Sequence, residues 1–331
     1  MILDKDLEFH PTDPQAHNWA ETNYFAFFIP EHAICGHLQA LFRPNVGAVM
    51  SDVRIWRGLV GSPDDTWYIS HHSYLPMPKS LREYSLANGL SVKALSPRDY
   101  RVDYTGVDNT SIHFDVRGIM EPYDTADPKM DPVTRKTKGD DWNFADAYNN
   151  HFDMSAHVTG EITVRGERFA VDCVQVMDHS WGPRTEVDLA AMMWLGATFD
   201  NNFAIHAFFP ADPAETEILR PLAHGYVTEN GEVRGLVRGQ LHVTRLGYQP
   251  VAVVFDAEDE TGRTYRLYGA TIAGGPWPVY PNLDVGLALV RWTMGDKVGH
   301  GMAMENSSMV YRNPRGRGAR YRPQPVPPPL G

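Results

Sequence analysis

The sequence predicts an all-β chain. Three observations carry this. Period-2 alternation recurs in short β-branched and aromatic runs, turn signals separate those runs, and helical periodicity is scarce. Candidate strands fall at 36–42, 46–56, 66–73, 90–95, 100–104 and 111–119. Two more, 154–164 and 169–177, precede a final set at 189–199, 203–209, 225–228, 233–244, 251–258 and 264–272. The links justify the pairings. Arg165-Gly166-Glu167 is a three-residue hairpin connection with a glycine able to take positive φ. Asp200-Asn201-Asn202, Glu229-Asn230-Gly231 and Asp259-Glu260-Thr261-Gly262 contain residues that tolerate left-handed backbone. About fourteen to sixteen antiparallel strands exceed one twisted open sheet, so two eight-strand units closing into barrels or sandwiches are expected.

A length of 331 residues fits two domains. The expected divisions are 1–170, with an insertion at 121–150, then 171–311, then a Pro/Arg-rich tail at 312–331. The insertion is rich in proline and charge and ends in aromatics. Asp140 or Asp141 can cap a short helix over Trp142–Tyr148, and the segment is either a lid over a barrel mouth or a solvated excursion. The tail holds five arginines and no acid, the composition of a disordered segment.

Composition excludes several classes. A net charge of −11 argues against a nucleic-acid partner, which requires a clustered positive surface. No apolar run reaches the ~18 residues of a spanning helix, so stable membrane insertion is not expected. Two distant cysteines, Cys35 and Cys173, and an N-terminal stretch without an apolar region predict a cytoplasmic protein without a disulfide framework. Eight Trp, fifteen Tyr and thirteen Met fit either a large aromatic core or the lining of an apolar cavity. There is no G-x-G-x-x-G after a strand, no P-loop, H-E-x-x-H, G-x-S-x-G or C-x-x-C. Nucleotide-dependent, zinc-protease and hydrolase readings therefore lose support, and no cofactor or metal is expected. Oligomeric state is left open.

The densest chemistry lies at Val176-Met177-Asp178-His179-Ser180-Trp181-Gly182-Pro183-Arg184, at a strand end. Alternation puts His179 and Trp181 on one face and Asp178 and Ser180 on the other. Arg184 follows within reach of Asp178. In an apolar pocket an imidazole exchanges protons near neutral pH, and an adjacent indole face stabilises positive charge. The same residues also suit a structural role: a buried Asp178–Arg184 pair, a backbone-bonding Ser180 and a Trp181 plug.

The run Asp-His-Ser-Trp-Gly-Pro-Arg, after a hairpin containing Val-Thr-Gly-Glu-Ile-Thr-Val-Arg-Gly-Glu-Arg-Phe, resembles the carotenoid 1,2-hydratase (hydroxyneurosporene synthase) and AttH-like superfamily. That superfamily also includes Diels–Alderase-type cyclases. Gly299-His300-Gly301-Met302-Ala303-Met304-Glu305-Asn306 resembles the end of the second domain in bacterial members. The resemblance implies two lipocalin-like antiparallel β-barrel domains in tandem, covering about residues 20–310, with an apolar pocket. It places His179 and Trp181 in that pocket, and on the stretch Ala204–Phe209, where the hydratases carry Tyr and Asp, it finds only His206.

The expected function is a cofactor-independent enzyme acting on a hydrophobic, unsaturated small molecule: a terpenoid, polyketide or aryl-alkene. Its reaction is hydration or dehydration (a lyase), isomerisation or cyclisation. Candidate catalytic residues are His179, Trp181, His206 and Glu305. Candidate substrate-binding residues are Trp142, Tyr148, Met193, Trp194 and Phe208, with Asp178 and Arg184 supporting the strand end. Glu305 equally fits a structural pair with an arginine, and His71 a polar contact. Two alternatives remain: a non-catalytic carrier of a hydrophobic metabolite, and a metal-dependent oxygenase using two of His206, His224, His242 and His300 with a carboxylate.

Overall fold

A computed structural model describes residues 2–136, 150–184, 186, 189, 191–211, 217–218, 222–280 and 282–316, without the side chains of 136, 217, 218, 280 and 313–316. Among these residues the regular structure is almost all strand. The first sheet holds β1 (Trp19–Ile29), β2 (Ile34–Arg43), β3 (Ala48–Arg57), β4 (Tyr68–Pro76), β5 (Glu83–Ser85) and β6 (Leu90–Ala94). It continues with β7 (Asp99–Thr105), β8 (Ser111–Gly118), β9 (Tyr123–Asp124), β10 (Asn150–Val164) and β11 (Glu167–Pro183). Its order is β4-β3-β2-β1-β11-β10-β8-β7-β6-β5, with β9 beside β10. The end strands do not pair with each other, and the sheet curls into a half-barrel.

The second sheet holds β12 (Met192–Asp200), β13 (Phe203–Pro210), β14 (Glu217–Ile218), β15 (His224–Glu229) and β16 (Glu232–Leu246). β17 (Gln249–Asp259), β18 (Thr264–Tyr280), β19 (Leu283–Met294) and β20 (Lys297–Ser308) complete it. Pairing of β16 with β17 closes eight of these strands into a barrel, and β14 attaches to its side. The all-β, tandem lipocalin-like architecture expected from the sequence is present, one unit closed and the other curled. The chain crosses between the sheets between Pro183 and Met192, so position 170/171 falls inside β11.

The hairpin links carry the left-handed backbone that their residues allow: Arg165 (φ 50°) with Gly166 (φ 87°), and Asn230 (φ 54°) with Gly231 (φ 82°). β1 was not legible as a strand, because Trp19-Ala20-Glu21-Thr22-Asn23-Tyr24-Phe25-Ala26-Phe27-Phe28-Ile29 is buried on both faces and shows no alternation. One face meets the barrel wall. The other turns into the half-barrel, where Phe25 meets Tyr100 at 5.4 Å and Phe27 meets Phe114 at 5.1 Å. The tail expected from Arg312 begins in a helix, α2, following the first, α1 (Pro132–Lys136); α2 spans Met309–Gly316. Residues 317–331, and Trp142 and Tyr148 of the insertion, lie outside the described residues. No helix among the described residues is long and apolar enough to cross a membrane.

Alternation sorts the barrel strands. Met193, Leu195, Ile205 and Phe209 fill the barrel interior with Phe255 and Trp292. Trp194, Phe208, Met302 and Met304 join the other core, shared with the half-barrel. Tyr24 packs between Trp194 (6.2 Å) and Trp277 (6.1 Å) there, and its hydroxyl donates to Met304 Sδ at 3.3 Å.

Candidate active site

Three neighbouring strands of the half-barrel present their polar residues in register. Ser180 of β11 lies opposite Thr22 of β1 and His151 of β10; Asp178 lies opposite Tyr24 and Asp153. Directly opposed residues of antiparallel strands share a face, and this face looks onto the outer wall of the barrel. Between them is a cavity of about 120 Å³. Its apolar wall is Trp194, Phe208, Trp277, Leu189, Met192 and Met304, and its polar wall includes Thr22, Tyr24, His151, Asp178, Ser180 and Arg184.

The polar wall is wired. Arg184 Nη2 donates to Ser180 Oγ at 2.6 Å, and Ser180 Oγ is 2.8 Å from Thr22 Oγ1. Behind His151 lies Asp153, fully buried. Trp194 Nε1 donates to its Oδ1 at 3.0 Å, while His151 Nε2 and His206 Nε2 each stand 3.0 Å from its Oδ2 and His224 Nδ1 stands 3.9 Å away. This hub joins the two sheets, since His206 and His224 come from the barrel.

Electrostatics separates the two opposed carboxyls. Burial alone would raise Asp153, but the imidazoles of His151 and His206 outweigh it and hold the group well below the ordinary range. Asp178 is pushed up to about 6, chiefly by burial and also by the Asp153 charge, against the opposing pull of His151, Arg184 and His206. His151 is raised, because Asp153 and Asp178 overcome the desolvation that would lower it. Burial depresses His224 far below its usual value. Paired titratable groups driven apart in this way are the signature of an acid/base site. A half-buried carboxyl poised near neutrality and facing an apolar wall can both give and accept a proton.

His179 and Trp181 do share a face, as alternation predicts, but it is the face turned away from this cavity. Register is the reason: pairing of His179 with Asn23 and Phe152 assigns the odd positions of the motif to the concave inner face of the half-barrel, where all three are buried. There His179 Nδ1 is 2.9 Å from Asn23 Oδ1, Glu21 sits beside both His179 and His10, and the His10 ring stacks on Trp181 at 3.9 Å. His10 and His179 hold the buried Glu21 carboxyl below its usual value, against the upward push of burial. Of the remaining candidates, Trp194 and Phe208 line the cavity, and His206 contacts Asp153. Met193 points into the barrel interior. Glu305, opposite Met193, accepts from Arg245 Nε at 2.6 Å in a buried pair. Arg184 bonds Ser180 and acts on Asp178 through charge. His71 contacts Asp52 at 2.7 Å, a polar pairing of β3 and β4. His206 and His224, considered as ligands beside a carboxylate, do gather around one, Asp153; His151, Asp153 and His224 can hold an ion by proximity.

Sequence reasoning missed His151, Asp153, Thr22 and Tyr24. Alternation at Asn150-His151-Phe152-Asp153 was the available signal for the first two, since β10 begins four residues before the expected strand. For Thr22 and Tyr24 there was none, because β1 has no periodicity.

The family model described as Domain of unknown function (DUF7064) matches residues 4–309. No curated protein matches the chain in sequence. Kievitone hydratase from Nectria haematococca is similar in structure, at TM-score 0.53 and 12% identity over 91% of this chain and 94% of that one. A protein of Nitrosomonas europaea assigned as an AttH is similar at TM-score 0.52 and 13% identity, covering 88% of this chain and 92% of that one. At such identities the likeness is one of fold, and it is the fold that the Asp178–Arg184 motif led one to expect. The chain belongs to the DUF7064 family, and its tandem β-barrel fold is similar to those of the kievitone hydratase and AttH structures.

Proposed function

We propose that the chain is an enzyme that moves a proton to or from an apolar, unsaturated small molecule, in the cavity between half-barrel and barrel. Hydration or dehydration is the leading reaction, with isomerisation or cyclisation by the same acid/base group. The observation that carries this reading is the Asp178 carboxyl on the cavity wall, titrating at about 6 beside an ionised partner. Fold similarity to a hydratase supports it.

In the hydration direction the protonated Asp178 gives its proton to one alkene carbon. Water adds to the other carbon, and its surplus proton returns to the carboxylate. Trp194 and Trp277 line the cavity and supply the aromatic surface that stabilises the positive charge developing between those steps. Asp153 and His206 position His151, which keeps a cationic partner near Asp178. The volume limits what reacts: about 120 Å³ is close to the ~150 Å³ apolar cavity that accommodates one benzene ring. The reacting part is thus a single ring or a short isoprenoid end.

The test is incubation in D2O with a panel of apolar alkenes, kievitone included, read by mass spectrometry. Deuterium or D2O enters the substrate with the native protein and not with Asp178→Asn. Ligands that bind and return unlabelled overturn the proposal in favour of a carrier. Label retained in full by Asp178→Asn removes Asp178 from the chemistry.

A further inference from the structure

On the opposite face of the same strands lies a second polar cluster that the proposed proton transfer does not use. We infer that His10, Glu21 and His179 form a binding site for one divalent first-row transition ion, with Zn²⁺ as the representative occupant.

One ring nitrogen of each histidine is already engaged by an oxygen acceptor. His179 Nδ1 lies 2.9 Å from Asn23 Oδ1, an acceptor-only atom whose amide partner, Nδ2, donates to Tyr84 OH at 3.4 Å. That places a hydrogen of His179 on Nδ1 and leaves Nε2 turned toward Glu21. Nε2 is buried and has no hydrogen-bond partner, although Glu21 Oε1 is only 3.2 Å away. In the metal-free protein a proton lies between them, and a separation of 3.2 Å also lets one ion touch both atoms at ordinary Zn–N and Zn–O lengths. His10 mirrors it: Nε2 lies 3.4 Å from Asp6 Oδ1, which leaves Nδ1 2.7 Å from the same Glu21 Oε1. Each imidazole therefore has an outer oxygen acceptor holding one nitrogen and turns the other toward a single carboxylate. This is the outer-shell arrangement that orients histidine ligands on metals.

The donor set fixes the class of ion. Two imidazoles and a carboxylate suit Zn²⁺, Fe²⁺ or Co²⁺, whereas Ca²⁺ and Mg²⁺ prefer all-oxygen shells. The three ligand atoms lie within 4.8 Å of one another, from three separate stretches of chain. Trp181, stacked on His10 at 3.9 Å and 4°, holds that ring in plane. In the metal-free protein a proton bridges His10 and Glu21; the ion displaces it. Bound there, the ion ties the segment ahead of β1 to β1 and β11. The Asp178–Trp181 run then has two roles, its even positions in the cavity and its odd positions at the metal.

The experiment uses the full chain stripped with a chelator, titrated with Co²⁺ alone and followed by visible absorption, with Zn²⁺ as competitor. One Co²⁺ per chain with ligand-field bands, displaced by Zn²⁺, is expected. His10→Ala, which lies outside both sheets and keeps the far-UV spectrum of the stripped protein, weakens Co²⁺ binding by more than about 100-fold. Asn23→Ala, which touches no ion, weakens it by about 10–100-fold, the usual effect of an outer-shell partner. Absence of Co²⁺ bands in the native chain overturns the inference. So does unchanged affinity in His10→Ala, which places the ion elsewhere, at Asp153 for example. Neither result bears on proton transfer at Asp178.

Discussion

Replacing Asp178 by Asn tests the electrostatics and the chemistry at once. The amide keeps the shape of the carboxyl but cannot ionise. In the folded chain Asp178 titrates at about 6, against 3.8 for an unperturbed group. Between those values the folded chain still holds a proton that the unfolded chain has released, so stability falls as pH rises from about 4 through about 6. A shift from 3.8 to about 6 corresponds to about 3 kcal/mol, and water reaching the half-buried carboxyl reduces this to about 2 kcal/mol. Asp178→Asn does not carry that loss. Relative to the native chain it therefore gains about 2 kcal/mol between about pH 4 and about pH 8, while turnover disappears. Urea unfolding of both proteins across that range reads the difference directly. A stability difference that is flat with pH refutes the reasoning, because it means Asp178 titrates alike in the folded and unfolded chains.

Asp153 has the opposite sign. Its depressed folded value stabilises the protein above about pH 4 and stops doing so as pH falls further. Asp153→Asn is expected to cost about 3–5 kcal/mol at neutral pH, the typical result of breaking a buried charge cluster, and the gap to the native chain closes in acid unfolding series. Trp194→Phe keeps a ring on the cavity wall but removes the donor to Asp153 Oδ1. It should cost about 2 kcal/mol in urea unfolding, in line with hydrogen bonds to charged groups, and it should reduce turnover without abolishing it. Gly301→Ala puts a Cβ 2.2 Å from the Gly196 carbonyl oxygen, where β12 and β20 approach. A loss of about 3 kcal/mol in thermal unfolding is expected from such overpacking.

How much was legible in advance depended on how each strand is buried. Strands with one solvated face, such as β7 (Asp99–Thr105) and β8 (Ser111–Gly118), alternate visibly and were located closely. β1 is covered on both sides, so its sequence is a continuous run of apolar and small polar residues without a period, and Thr22 and Tyr24 of the cavity's polar wall went with it. The motif from Asp178 to Arg184 was recognisable as the chemical centre of the chain. Which of its faces met a cavity was not, because alternation says that neighbours diverge without saying what lies on either side.

The sequence by itself determined the all-β class, the hairpin links at Gly166 and Asn230-Gly231, and the grouping of Asp178 with Ser180 and His179 with Trp181. Those follow from backbone geometry within a strand and its turns. Only the tertiary structure decided that Asp178 faces Asp153, that Trp194 and His206 reach it from the other sheet, and that His10 joins Glu21 and His179. Each of these contacts bridges segments far apart in the chain. They depend on strand register and on how the half-barrel seats against the barrel, and neither leaves a local trace in the residues that end up touching.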